Sequence, residues 1–415
     1  MFGHTNATWR KIAGFSSVLV LMVISLSACG GSSSAATNTS PIKIGISLSL
    51  TGDFSSDGLS FKQGYELWAK DINAAGGLLH RQVQLDIVDD TSSDTQTTTN
   101  YQELIATHHD DLVFGPFSTL LTVPASVVTA RYNYALVEGA GGAPSVFNRG
   151  LNDVFDVSLP VANNLLSFAS LIKTLPTGTG PMTVGYATSD DPFTKPQVDI
   201  VKTQLESQGL TSVTPESVFP DETTDFTPIA QKLIQAQADV VVLGTTTSEQ
   251  VTSILLAFKQ QHYTPKAIIA TAGPDQGATF LSEIGGTTEA EAIMVPNGWF
   301  PEANNPGNAQ MVQEYVAQYG GTYDGISSDV AEAYSVGEVV AQAVTKDGNL
   351  NQAQLIATLH SGTFTSVQGS VKFDSTGQNT AALSYLFQWQ GGTFVPIYPT
   401  NTTGVQKFEY PKPAW

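Results

Sequence analysis

Residues 45–90 read GISLSLTGDFSSDGLSFKQGYELWAKDINAAGGLLHRQVQLDIVDD. With the residues just before it, this stretch holds an alternating apolar run: Ile42, Ile44, Ile46, Leu48 and Leu50. Period-two alternation predicts a strand. From about Gly58 to Ala75 the period changes. Phe61, Tyr65, Trp68 and Ile72 then fall on one face of a helix, and Gly76-Gly77 supply its stop. Val83, Leu85 and Ile87 return to period two and predict a second strand. A strand, a helix and a second strand in this order form the βαβ unit of a parallel sheet.

The alternation continues outward. A helix is expected at about Thr95–Thr107, a short strand at Leu112–Phe114, a helix at about Leu120–Arg131 and a strand at Tyr134–Val137. It then restarts with helices near Ala162–Leu175, Thr194–Gln208, Phe226–Gln237 and Ser248–Gln260. Strands are expected between them at Met182–Ala187, Ser212–Val218, Val240–Gly244 and Ala267–Ala270. After Val295-Pro296 the chain is more helical, and it closes on strand-like pieces at Gly369–Phe373, Tyr385–Trp389 and Phe394–Tyr398. Two α/β blocks of similar size imply two lobes, because a single core stops growing near ~250–300 residues.

Several motifs in this order resemble the type I periplasmic binding proteins of ABC importers, in the branch that includes the leucine/isoleucine/valine-binding protein. They are Thr51-Gly52, Gly58, Gly64, Asp71 to Gly77, and Asp89-Asp90 followed by Asp94. Gly115 to Thr119 with Pro124-Ala125-Ser126, Ala140 to Pro144, Gly273-Pro274-Asp275 and Phe387-Gln388-Trp389 complete the set. The resemblance spans residues 42–400. It implies two Rossmann-like lobes of parallel sheet flanked by helices, a three-strand hinge and a ligand in the interlobe cleft. Lobe 1 is expected at 42–158 and 296–383, and lobe 2 at 159–295 and 384–415.

The resemblance also implies site residues. Thr119 and the backbone at Ala140 and Gly142 would hold a ligand α-carboxylate, and Asp275 an α-ammonium. Ser118 belongs to the same loop, whose free N–H groups at a strand end suit an anion. Phe193 and Thr246 stand where the family has pocket tyrosines. Asp57 stands where an aromatic is common, and Gly142 lacks the family's hydroxyl side chain. Gly142 and Thr246 are expected to open space and Phe193 to keep an apolar wall, favouring a larger, aromatic or more polar ligand. Trp299 is expected either to stack on that ligand or to pack between the lobes. Thr119 also fits a helix N-cap, and Asp275 a turn residue.

Other signals are plain. Asp89, Asp90 and Asp94 lack the spacing and Gly of a calcium loop. His108-His109 suit a helix C-terminus. Residues 244–247 (GTTT) carry no following Lys and make no phosphate loop. No nucleophile–base motif appears, so no enzyme activity, metal or cofactor is expected. Charged residues are 13% of the chain and the net charge is −19. An acidic surface repels phosphate backbones, so no nucleic-acid partner is expected.

The N-terminus carries an address. Arg10-Lys11 precede an apolar run from Ile12 to Leu26, then Leu26-Ser27-Ala28-Cys29, with the chain's single cysteine at the end. A basic pair, a short apolar run and small residues form a signal peptide, here 1–28. Leu-Ser-Ala-Cys resembles a bacterial lipobox, which implies a lipid on Cys29 after cleavage. The alternative is an uncleaved anchor, but the apolar run falls short of the ~20 residues that span a bilayer. Residues 29–41 are small and polar and read as a flexible tether. Losing Arg10 and Lys11 leaves 16 basic against 37 acidic residues, a net charge of −21.

The combined expectation is a monomeric, lipid-anchored, extracytoplasmic receptor, serving ABC permease and ATPase subunits. It would take up an amino acid or a related small amide or carboxylate. The alternative is a sensor that delivers the same ligand class to a separate signalling partner. A Cys29→Ser variant is expected to leave the membrane fraction of lysed cells. Retention of that variant in the membrane pellet would count against the lipid anchor.

Overall fold

Five strands, β1 (Ile42–Leu48), β2 (Val83–Asp89), β3 (Leu112–Phe114), β4 (Leu136–Glu138) and β5 (Val154–Asp156), form a first sheet in the order β2-β1-β3-β4-β5. All its pairings are parallel. The computed structural model describes residues 39–175, 182–402 and 404–415. The expected signal peptide, Cys29 and most of the tether therefore lie outside the described residues.

A second sheet contains β6 (Thr183–Ser189), β7 (Thr211–Ser212), β8 (Ser217–Phe219), β9 (Val240–Gly244), β10 (Ala267–Ala270) and β11 (Ile293–Asn297). A separate hairpin, β12 (Phe364–Ser366) and β13 (Gly369–Val371), precedes two more strands, β14 (Tyr385–Gln390) and β15 (Thr393–Tyr398). The second sheet runs β15-β14-β11-β10-β9-β6-β7, with β8 also on β6. β14 and β15 join it antiparallel, and the other pairs are parallel. The fold is thus α/β with two Rossmann-like sheets, as the alternation predicts.

Each sheet is covered on both faces, and the strand period divides the side chains between two cores. In β9, Val240 and Val242 enter one core while Val241 and Leu243 enter the other. Ile42, Ile44, Ile46 and Leu48 of β1 are all fully buried in one core of the first lobe. Burying each such side chain contributes about 1.5–3 kcal/mol. The chain leaves the first sheet after Asp156, and the helix Leu166–Ile172 already packs in a second-lobe core. From Met311 to Phe373 the buried apolar residues rejoin the first lobe, and β14 returns to the second. The second sheet keeps Asn297, just past the expected boundary at 296. Sequence periodicity missed the three-residue β5 and the helix Gln352–Ser361.

One helix pair positions the cleft. The helix Ser55–Ala74 buries Phe61, Tyr65 and Trp68. The helix Ser328–Asp347 lies against it, at a separation only glycine permits. A Cβ at Gly64 would run into the Val330 carbonyl, and one at Gly337 into the Trp68 ring. This packing sets the first turns of both helices, which carry Asp57 and Asp329, side by side at the mouth of the first sheet. Overpacking the contact has a defined cost. Gly337→Ala is expected to lower stability by about 1–3 kcal/mol in a urea titration, with the m-value unchanged.

Candidate ligand-binding site

Ligands of open parallel sheets bind beyond the C-terminal ends of the strands, near the point where strand order reverses. Both sheets obey this rule around one cavity of about 90 Å³. That is several times the space one water needs. From the first lobe, the loop after β3 contributes Phe117 and Ser118, and the loop after β4 contributes Gly139, Ala140 and Gly142. The end of β5 adds Asp156, and the helix pair adds Asp57, Asp329 and Glu332. From the second lobe come Asp191 and Phe193 after β6, Thr246 after β9, and Thr271, Asp275 and Gln276 after β10. The linking stretches at Ser158–Leu159 and Pro296–Gly298 form the floor between them.

Two hydrogen bonds cross the cavity between the lobes. Ser328 Oγ donates to Asp275 Oδ2 at 3.2 Å, and Gln276 Nε2 donates to Asp57 Oδ1. A third close approach sets Gly277, at φ +56°, against the Gly325 carbonyl. The lobes are therefore closed on each other.

Of the expected site residues, Asp57, Ser118, Ala140, Gly142, Phe193, Thr246 and Asp275 share this cavity. Thr119 and Trp299 do not line it. Thr119 is fully buried, and its Oγ1 makes no hydrogen bond. The helix N-cap is Ser118, whose Oγ accepts from Leu121 N–H at 3.4 Å. Ser118 holds φ 72° and ψ 152°, a conformation that costs a non-glycine residue about 1–3 kcal/mol. Trp299 sits in the first lobe's core, where its Nε1 donates to Asn308 Oδ1 at 2.6 Å. Its indole is satisfied there, so it neither stacks on a ligand nor packs between the lobes.

The expected carboxylate cradle is changed more deeply. Ala140 N–H donates to Glu138 Oε2 at 2.7 Å, and Gly141 N–H donates to the same oxygen. The protein's own carboxylate has thus taken the Ala140 donor that was assigned to a ligand carboxylate, together with the next N–H along the loop. Gly142 does not open space either. A Cβ there would meet Asp156 Oδ2, so the missing side chain is replaced by an acid from the neighbouring strand. Asp156 Oδ1 accepts from Ser158 N–H at 2.8 Å, while Oδ2 is buried and unpartnered. Asp156, Asp191, Asp329, Glu332 and Gln276 were not singled out from the sequence. The available signal was an acid directly after an apolar strand, as in Val154-Phe155-Asp156 and Leu136-Val137-Glu138.

Asp275 is held by Gly273 N–H at 2.9 Å as well as by Ser328. Asp191 accepts from the backbone N–H of Phe193 at 2.6 Å and of Thr194 at 3.2 Å. Burial and then like charges push these acids upward. Burial raises Asp156 to about 7. Burial and Asp221 raise Asp191 to about 7. Burial and Asp275 raise Asp329 to about 8. Asp57 and Glu332 are raised well above the carboxylate range by burial and by Asp329.

Outside the cavity, His108 follows the end of the helix Asp94–Ala106, as expected, and its backbone N–H donates to the Glu103 carbonyl at 2.9 Å. The His108 Nδ1 lies 2.7 Å from Asp86 Oδ2, in a group with Asp110. Asp89 and Asp90 tie strand ends together through Thr51, Ser47 and Ser49.

A sequence profile described as "Periplasmic binding protein" matches residues 41–393. The Leu/Ile/Val-binding protein homolog 8 of Brucella melitensis is 27% identical over 390 residues, covering 89% of this chain and 93% of that protein. A leucine-binding protein from Thermotoga maritima superposes with a TM-score of 0.75 at 16% identity, over 86% of this chain and 97% of that one. A solute-binding protein of an ABC transporter from R. palustris, in complex with benzoate, gives 0.74 at 16% identity, over 90% and 98%. The two solved structures share the fold.

The raised acids fix the sign of a pH effect. An unfolded Asp titrates near ~3.9, so the folded chain binds more protons between that value and 7–8. Stability contributed by these groups is then gained as pH falls through their folded range. Asp329 faces Asp57, Asp275 and Glu332; Asp156 faces Glu138 and Glu332; Asp191 faces Asp190 and Asp221. No cation stands among these neighbours to reverse the sign. The ligand-free protein is expected to melt at higher temperature at pH 5.5 than at pH 7.5 in a calorimetric scan. An equal or lower Tm at pH 5.5 would contradict it.

Proposed function

We propose, from the premise that this chain belongs to the periplasmic binding protein family, that it is the solute-binding subunit of an ABC importer for an amino acid or a related small amine or amide. The observation that carries this reading is a closed cavity between two sheets, bridged by the Ser328–Asp275 and Gln276–Asp57 hydrogen bonds. A ligand that touches both lobes binds the closed form more tightly than the open one, and that difference drives closure. Asp275 is our candidate for the ammonium contact. It is half-buried at the strand end of the second lobe and held in place by Gly273 and Ser328.

The family works outside the cytoplasm, and the N-terminal lipobox supports anchoring through Cys29. A tethered receptor stays at high local concentration beside its permease and ATPase partners. The receptor would act as a monomer and perform no chemistry on its ligand.

A thermal-shift screen of amino acids, amides and aromatic acids tests the reading. Binding only the native state stabilises it, by ~2.7 kcal/mol at a hundredfold excess over Kd. One chemical class is expected to raise Tm by several degrees. Asp275→Asn is expected to weaken an amine ligand at least tenfold in calorimetric titration. An unchanged affinity would remove Asp275 from the ammonium role.

A further inference from the structure

Resting on the reading of this cleft as a ligand site, we propose that its occupant is an elongated organic cation with two separated nitrogen cations, a diamine or guanidino compound, held without any ligand carboxylate. Six carboxylates line the cavity: Asp57, Asp156, Asp191, Asp275, Asp329 and Glu332. No Lys, Arg or His stands among the lining residues. Asp57, Asp156, Asp191 and Asp329 are each more than nine-tenths buried. Asp57 and Asp329 share a side-chain hydrogen bond, while Asp156 Oδ2 accepts none. A buried acid of this kind either holds its own proton or takes a donor or positive charge from a partner, and a cation that enters replaces the proton.

An anionic ligand group finds the opposite. The N–H groups of Ala140 and Gly141 are spent on Glu138, and Asp156 fills the space beside Gly142. A carboxylate brought there would face two protein carboxylates. The acids are also divided along the cleft. Asp57, Asp156, Asp329 and Glu332 stand on elements of the first lobe, while Asp191 and Asp275 follow β6 and β10 of the second. A single metal ion needs its ligand atoms gathered around one point. Among the described residues the group that meets this condition is Asp86, His108 and Asp110, none of which lines the cavity. Separated acids suit separated cations on one flexible stem. Phe117 and Phe193 add aromatic walls that favour methylenes and cationic nitrogen alike.

The experiment is a thermal-shift and calorimetric comparison of agmatine, putrescine, L-arginine, L-leucine and benzoate on the purified protein. Agmatine or putrescine is expected to raise Tm by several degrees and to bind at least tenfold more tightly than L-leucine or benzoate. L-arginine, which adds a carboxylate to agmatine, is expected to bind more weakly than agmatine. Asp329→Asn and Asp191→Asn are each expected to keep or raise the ligand-free Tm while weakening the cation at least tenfold. Because the two acids lie on different lobes, one variant remains informative where the other fails to fold. Tighter binding of L-leucine or benzoate overturns the cation and leaves the receptor reading standing. A Tm unmoved by every cation also overturns it, and the wider screen then judges the receptor reading alone.

Discussion

Like charges gathered in a closed space govern this molecule. Two full charges about 5 Å apart repel by about 3 kcal/mol at an effective dielectric near 20. The cleft holds six acids, and no base is among its lining residues. Such a group persists only because well-packed sheets and helices force it together, and it responds by holding protons or by admitting positive charge. The upward shifts at Asp156, Asp191 and Asp329 are the first response. The lobes nevertheless meet, because Ser328 and Gln276 give neutral hydrogen bonds to Asp275 and Asp57 across the gap.

The scaffold that imposes this arrangement is ordinary α/β packing. Gly64 and Gly337 let two long helices approach until their first turns share one side of the cleft. Parallel strands bring their C-terminal loops to the same side by geometry alone. The core contributes the stability, and the site uses part of it to hold acids, and the backbone of Ser118, in conformations they would not choose.

Legibility from sequence fell off with the range of the interaction. The strand period of Ile42 to Leu48 and the helix face of Phe61, Tyr65 and Trp68 are local patterns, and both appear in the structure. Asp57, Ser118, Ala140, Gly142, Phe193, Thr246 and Asp275 were placed in the cleft by resemblance, and they share the cavity. Their surroundings were not legible. Ala140 was assigned by its backbone, but its N–H donor goes to Glu138, two residues before it. The absent side chain at Gly142 suggested room, while Asp156 from another strand had filled it. Trp299 was read from its position near a crossover, and the core claimed it through Asn308.

The sequence alone determined the alternation of most strands and helices, the two-lobe α/β plan and the form of the N-terminal address. Those features rest on periodicity and spacing within a few residues, which any chain of this pattern must express. Only the tertiary structure decided the electrical character of the cleft. Its acids come from strand ends and helix starts scattered over most of the chain, and none carries a local mark of its future neighbours. Which charges meet, and which donors are already spent, is set by the packing of sheets and helices, because electrostatic interaction depends on distance in space rather than along the chain.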